Sequence, residues 1–542
     1  MQGLMQDWPL LCHTMIDHAA EHHGTTEIVT RTVEGPIHRE TYADAHARAR
    51  KLAQALEKRG VKLGDRIGTV AWNTHRHFEA WYGMMGLGAI YHTINPRLFP
   101  EQIAYIIDHA EDSWIFVDLS FLGTLEKIAD KLASVRGYVI LTDAAHMPKT
   151  TLKNAIPYED LIAGNDGDFA WKQFDENTAA GLCYTSGTTG NPKGVLYSHR
   201  SNVLHALAVN TADAVGMRAV DTMMPIVPMF HANAWSIAFG APAAGAKLVM
   251  PGARMDGESI CELLTNERVT VTAAVPTVWL AFLEHLRKTG QKPEHLERVV
   301  IGGAACPRAM MEAFERDYGI KVFHAWGMTE MSPVGTIGSL KAREAKLPFA
   351  GQIAAKLKQG RALYTVEMKI TDDSGKEMPR DGKTFGRLKV KGPAVVKRYF
   401  KNDGGEVLDE EGFFDTGDVA TICPEGYMQI TDRSKDVIKS GGEWISSIEI
   451  ENMAIGHPDV AEAAVIGVKH PKWDERPLLV VVPKEGARPT RESILKYFEG
   501  KIAKWWMPDD VVFVTAIPHT ATGKIQKREL RETFRDHKLP TA

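Results

Sequence analysis

Short apolar runs rich in β-branched residues recur along the first three-fifths of the chain, at 66–71, 114–117, 138–141, 222–230, 247–250, 269–275 and 298–301. Longer stretches of helical period separate them, so the pattern predicts strands alternating with helices. Strands that read as continuous apolar runs belong in sheets covered on both faces. The expected fold is therefore α/β, with a large N-terminal domain of parallel or mixed sheets flanked by helices. Ligands in such sheets collect beyond the carboxyl ends of the strands. Three suggestive segments fall there: the loop after Tyr184, Gly302-Gly303-Ala304 after Ile301, and Trp326-Gly327 after Val322-Phe323.

The pattern changes near residue 400. Polar, Gly-rich and acidic residues at 401–411 mark a loop, and beyond Asp432 the pattern starts afresh. Runs at 461–468 and 478–482 read as strands, and Ile494, Leu495, Phe498, Ile502 and Trp505 repeat at helical spacing. The expected division is an N-terminal domain over 1–433 and a small C-terminal α+β domain over 434–542. No internal repeat is evident.

Composition narrows the function classes. A chain of 542 residues exceeds what one core organises, and 44% apolar residues are ordinary for a globular protein. A formal charge of −4 gives no general attraction for nucleic acid or an anionic membrane. There is no apolar run of spanning length, no signal-peptide start and no peroxisomal tripeptide in Pro540-Thr541-Ala542, so a cytoplasmic enzyme without an integral membrane segment is expected. The five cysteines are scattered without a CxxC pair, which disfavours a metal cluster or a disulfide framework. His18 and His22 have chelating i,i+4 spacing, but without an HExxH pattern an exposed helix face is the better reading.

The strongest chemical signal is the run Thr185-Ser186-Gly187-Thr188-Thr189-Gly190-Asn191-Pro192-Lys193-Gly194. Glycines let backbone N–H groups approach an anion, hydroxyls add neutral donors, and Lys193 adds a full charge, which together make a phosphate clamp. Lys193 follows proline and precedes glycine, so the run is not a Walker A loop. Residues 184–195 resemble the phosphate-loop signature of the adenylate-forming superfamily of acyl-CoA synthetases, peptide-synthetase adenylation domains and firefly-type luciferases. The likeness extends over nearly the whole chain.

What this resemblance implies can be stated residue by residue. Ala325-Trp326-Gly327-Met328-Thr329-Glu330 is similar to the motif in which an aromatic residue lies near adenine and the carboxylate holds Mg²⁺. Trp326, Gly327, Met328 and Thr329 would then bind ATP, with Gly303 and Ala304, and Glu330 with Thr185 would ligate the metal. Phe414-Asp415-Thr416-Gly417-Asp418 resembles the ribose motif, with Asp418 accepting from both ribose hydroxyls. Arg433 would contact ribose or phosphate and Lys435 would occupy the hinge of a mobile C-terminal lid. Thr520-Ala521-Thr522-Gly523-Lys524-Ile525 resembles the segment carrying the catalytic lysine, Lys524.

Pro228-Met229-Phe230-His231-Ala232-Asn233-Ala234-Trp235 resembles the acyl-pocket motif. His231 stands where amino-acid-activating relatives carry an aspartate, so an α-amino acid is a poor substrate. His231 is assigned to catalysis and to the pocket, Trp235 resembles the gate residue of fatty acyl-CoA synthetases, and Gly303, Gly327, Met331 and Pro333 would line an apolar cleft. Gly441, Gly442 and Trp444 would flank the path of CoA. The resemblance implies a two-step ligase using ATP, Mg²⁺, CoA and a small carboxylic acid. The chain looks like medium- to long-chain fatty acyl-CoA synthetases, more narrowly like bacterial 3-methylmercaptopropionate-CoA ligases, and the likeness makes a homodimer plausible. The alternatives are a standalone adenylation enzyme loading a carrier protein, a luciferase-like oxygenase, and a non-catalytic nucleotide-binding member of the family.

Overall fold

A computed structural model describes residue 1 and residues 3–185, 191–441, 443–519 and 525–542. Two large sheets organise the first two-thirds of the chain. One has seven strands in the order Ala155–Pro157, Gly137–Ile140, Trp114–Val117, Arg66–Val70, Ile90–Thr93, Ala179–Tyr184 and Gly194–Ser198. Its strands run parallel except for the last pair, a hairpin in which Tyr184 faces Gly194. The other has nine strands, parallel from Glu27–Arg31 through Lys247–Met250, Thr222–Pro225, Val271–Ala274 and Arg298–Ile301 to Lys321–Gly327, with antiparallel strands at both edges.

Helices fill the space between. His75–Leu87 is buried along its whole length, capped by the Thr74 hydroxyl at its start and by Gly88 in the left-handed region (φ 89°) at its end. Tyr42–Lys58 begins with a capping box between Thr41 and Asp44 and turns Ala45, Ala49, Leu52, Ala53 and Leu56 inward. These helices and both sheets share one apolar core that includes Phe78, Trp81, Tyr91, Phe239 and Met250.

A four-stranded antiparallel sheet follows, built from Glu367–Thr371, Gly386–Lys391, Phe414–Ile422 and Met428–Arg433. The next strand, Ile438–Ser440, belongs to a separate sheet with Glu443–Ile445, Asp474–Pro483, Val460–His470 and Asp510–Phe513. That sheet has its own cores, one around Ile450, Val465, Leu479, Ile494 and Phe498.

Three details depart from the apolar pattern. Residues 222–230 form a strand only over Thr222–Pro225, because Asn73 takes over the backbone beyond it. Its side-chain amide donates to the Pro225 and Val227 carbonyls and its oxygen accepts from Met229 N, so these groups do not pair with a neighbouring strand. Trp326 and Gly327 lie within the strand Lys321–Gly327, not after it, since they pair with Val334–Ile337 across a bulge. The helical repeat at 494–505 is broken: the helix Arg491–Phe498 stops where Glu499 leaves helical geometry and Gly500 takes φ 72°. Ile494 and Phe498 are buried, whereas Trp505 is exposed and its neighbour Trp506 turns inward.

Candidate active site

The hairpin Ala179–Tyr184 and Gly194–Ser198 presents the two ends of the run at 185–194. Thr185 N donates to the Lys193 carbonyl over 2.9 Å, and Lys193 N donates to Thr185 Oγ1 over 3.3 Å, closing the base of the loop. The Lys193 ammonium lies 4.9 Å from the centroid of the Tyr399 ring. Ser186, Gly187, Thr188, Thr189, Gly190, Gly442 and Lys524, with the side chain of Trp444, fall outside the described residues.

Thr185 shares a small hollow with Thr93, Asn95, Phe230 and His231. His231 is half-buried, and its N–H donates to the Pro228 carbonyl. After it, Ala232, Asn233, Ala234, Trp235 and Ser236 all take positive φ, between 45° and 66°, making a left-handed turn without a glycine. Left-handed backbone disfavours L-residues by about 1–2 kcal/mol each, so neighbours must hold the turn. Asn233 supplies much of that hold. It is fully buried, accepts from Tyr91 Oη over 2.9 Å and donates to Asn202. The turn sets Trp235 against Gly302, where an added Cβ would lie 3.1 Å from the indole. Gly303 follows with φ 80°, and Gly303 and Ala304 are exposed.

The segment after Trp326 turns back on itself. A Cβ on Gly327 would meet the Pro333 carbonyl at 2.1 Å, and Met328 N donates to that same oxygen, so the tight turn accounts for the glycine. Met328 is half-buried and Thr329 is buried, its carbonyl accepting from Tyr197 Oη. Glu330 is 7% exposed and accepts from Tyr399 Oη over 2.8 Å. Met331 sits in the core with Cys183, Val195 and Tyr197. Pro333 is buried beside it.

Asp418 and Arg433 occupy opposite positions on adjacent antiparallel strands. Their side chains meet, Arg433 Nε lying 2.9 Å from Asp418 Oδ1, while Trp326 Nε1 donates to Oδ2 over 2.9 Å. The carboxylate is 3% exposed and the guanidinium is half-exposed. Indole, carboxylate and guanidinium thus form one hydrogen-bonded cluster, with Thr329 and Glu330 following Trp326 in the chain.

Beyond Arg433 the chain crosses to the last sheet. Ser434 is held by the Gly417 carbonyl through both its N–H and its hydroxyl. Burial lowers the Lys435 ammonium below the ordinary lysine value, against the opposing charge of Asp436. Asp432 is buried and accepts from Ser447 N over 2.8 Å, tying the last strand of one sheet to the helix Ser447–Ile455. On that helix Glu451 meets the buried Lys527 ammonium at 2.8 Å. Gly441 takes φ 60° and packs against the Trp473 ring.

All five cysteines are free and buried, and no cluster of three or more His, Cys, Asp or Glu ligands occurs among the described residues. Among those residues no helix is long and apolar enough to cross a membrane. Sequence reasoning passed over Asn73, Tyr91, Asn202 and Tyr399. Each is an isolated residue without a local motif, and only its contacts mark it.

Comparison with known proteins identifies the family. The family model described as AMP-binding enzyme matches residues 16–400, and the model of the AMP-binding enzyme C-terminal domain matches residues 449–524. The 3-methylmercaptopropionyl-CoA ligase of Ruegeria lacuscaerulensis is 51% identical over 536 residues, 99% of each chain. The medium-chain-fatty-acid–CoA ligase of Ectopseudomonas oleovorans is 45% identical over 99% of this chain and 98% of that one. The crystal structure of ATP-bound MatB from Rhodopseudomonas palustris superposes with a TM-score of 0.80 at 27% identity, covering 97% of this chain and 99% of that one. With a family model matching residues 16–400 and its length matched almost end to end by CoA ligases, the chain belongs to the AMP-binding enzyme family, among the AMP-forming acyl-CoA synthetases.

Proposed function

We propose that this enzyme converts a short- or medium-chain carboxylic acid, with 3-methylmercaptopropionate the favoured substrate, to its CoA thioester through an acyl adenylate. The single observation that carries the reading is the cluster of Trp326, Asp418 and Arg433, with the buried Glu330 carboxylate following Trp326 in the chain, which suits a nucleotide with its metal-bearing phosphates. The relatives at 51% and 45% identity, named for a thioether acid and for medium-chain fatty acids, support the substrate class. An apolar pocket separates neighbouring homologues by about 1–3 kcal/mol per methylene, so butyrate-like acids should also react.

In the first step a carboxylate oxygen of the acid attacks the α-phosphorus, and the bond to pyrophosphate breaks. In the second, the CoA sulfur attacks the acyl carbon, the thiol proton leaves and AMP departs with the bonding electrons. Trp326 offers its face to adenine, Asp418 accepts from the ribose hydroxyls, and Arg433 neutralises charge beside them. The loop from Thr185 through Ser186, Gly187, Thr188, Thr189 and Gly190 to Lys193 cradles the phosphates, and Lys524 neutralises charge building at the α-phosphate. His231, Trp235 and the Gly302–Gly303 turn border the acid, while Met331 acts through the core. Lys435 is the hinge, and Gly441, Gly442 and Trp444 flank the CoA path.

The donor set suits Mg²⁺, because Glu330 and Thr185 supply hard oxygens. When bound, the ion would neutralise phosphate charge. Pyrophosphate release from ATP, followed with C2 to C12 fatty acids, 3-methylmercaptopropionate, amino acids and aryl acids, each with and without CoA, tests the proposal. The expected result is a maximum at short or medium alkyl acids with CoA-dependent AMP and thioester. No release with any acid would overturn it, and release without CoA turnover would move the acceptor to a carrier protein.

A further inference from the structure

Tyr399 lies outside every motif considered above, yet it touches the two charged groups that the proposed phosphate chemistry depends on. Its hydroxyl donates to Glu330 Oε1 over 2.8 Å in a buried setting, and the Lys193 ammonium stands 4.9 Å from its ring centroid. Glu330 lies in a turn between two strands of the nine-stranded sheet and Lys193 just before the last strand of the seven-stranded one, and this side chain contacts both. Its own backbone is held firmly. Val396 N donates to the Glu330 carbonyl over 2.7 Å, and Ser332 Oγ donates to the Ala394 carbonyl over 3.0 Å, so the segment leading to Tyr399 is tied to the strand end that carries Glu330. Just beyond it the chain turns sharply through Lys401 and Asn402, both at positive φ, and Lys401 pairs with Glu111 over 2.6 Å.

We infer that Tyr399 is a positioning residue, setting the Glu330 carboxylate and the Lys193 ammonium to receive the metal-bound phosphates of ATP. The inference rests on the ligase reading above and adds to it a residue with its own role. The phenol fixes the plane of the carboxylate through a charge-assisted hydrogen bond, and the ring face holds an ammonium that would otherwise sample many rotamers. A tyrosine serving only to fill the core would need neither its hydroxyl on Glu330 nor a lysine over its face.

The test is calorimetric titration of ATP, with excess Mg²⁺ and with EDTA, into the full-length wild type and two variants. Tyr399→Phe keeps the ring and removes the donor. It should reduce the Mg²⁺-dependent gain in ATP affinity about tenfold while leaving metal-free binding within about twofold. Tyr399→Leu removes the ring as well, and should weaken metal-free ATP binding a further threefold or so. In a Glu330→Gln background, Tyr399→Phe should add nothing. An unchanged Mg²⁺ gain in Tyr399→Phe, or full additivity with Glu330→Gln, would overturn the inference and leave the ligase reading standing. A wild type that binds no ATP under either condition would defeat the ligase reading and the inference with it.

Discussion

Trp326 Nε1 donates to Asp418 Oδ2 over 2.9 Å, joining residues 92 positions apart. Under the proposed function the indole would offer a face to the base, and its N–H orients the carboxylate that would receive the ribose. Replacing it with phenylalanine keeps a flat ring and removes the donor. Trp326→Phe is expected to weaken ATP binding about three- to tenfold, within the range of a hydrogen bond to a charged group. Asp418→Ala should weaken it further. Titration calorimetry with MgATP reads both, and wild-type affinity in Trp326→Phe would show that the bond does not orient the carboxylate.

Lys524 makes a prediction about the two half-reactions. Lys524→Ala should lower adenylate formation by about 10²–10³-fold, the usual loss for one oxyanion donor. Thioester formation from supplied acyl adenylate and CoA should largely survive. Quenched-flow assays of each half-reaction separate the two, and an equal loss in both would remove the assigned role.

Glu40 carries the clearest pH signature. It is buried on the strand Ile37–Thr41, with Oε2 at 3.4 Å from His38 Nε2 and 3.6 Å from Arg48 Nε. Burial, opposed by Arg48, pushes its carboxyl up to about 7. An acid whose folded value lies above its unfolded value holds its proton more tightly when folded. Its contribution to stability is therefore fully present below pH 4.5, falls as pH rises to about 7, and is level above that. Glu40→Gln removes this dependence. The variant should exceed the wild type by about 1–3 kcal/mol at pH 8, with the difference shrinking toward pH 5. Urea unfolding across this range checks it, and a pH-independent difference would contradict the buried-proton account.

Ser236 ends the left-handed turn at φ 66°, fully buried, and its hydroxyl has no hydrogen-bond partner among the described residues. Ser236→Gly relieves both the backbone and the orphaned hydroxyl, against the extra entropy of glycine in the unfolded chain. The expected net gain is about 1 kcal/mol. Ser236→Val places a β-branched residue at the same dihedral and should destabilise by about 2 kcal/mol or more. Thermal melting of the two variants should move in opposite directions; a downward shift for Ser236→Gly would mean that packing of Cβ outweighs the strain.

The legible parts of this fold were local. The strand Arg298–Ile301 coincides with its apolar run, as does Trp114–Val117, because a short buried strand needs only consecutive side chains that tolerate both faces of a sheet. The run at 222–230 misled for the same reason, since its apolar residues are buried in a loop that Asn73 holds. At 494–505 the spacing kept its helical period while Gly500 broke the backbone.

The runs at 185–194, 325–330 and 414–418, with Arg433, were enough by themselves to mark the family to which the chain belongs, because each motif is made of neighbours in the chain. Tertiary structure decided how they act together. The register that sets Asp418 opposite Arg433, the indole that reaches Asp418, and the one tyrosine that touches both Glu330 and Lys193 depend on pairings across distant segments. Such pairings are fixed by core packing and strand register, which no local run of residues encodes.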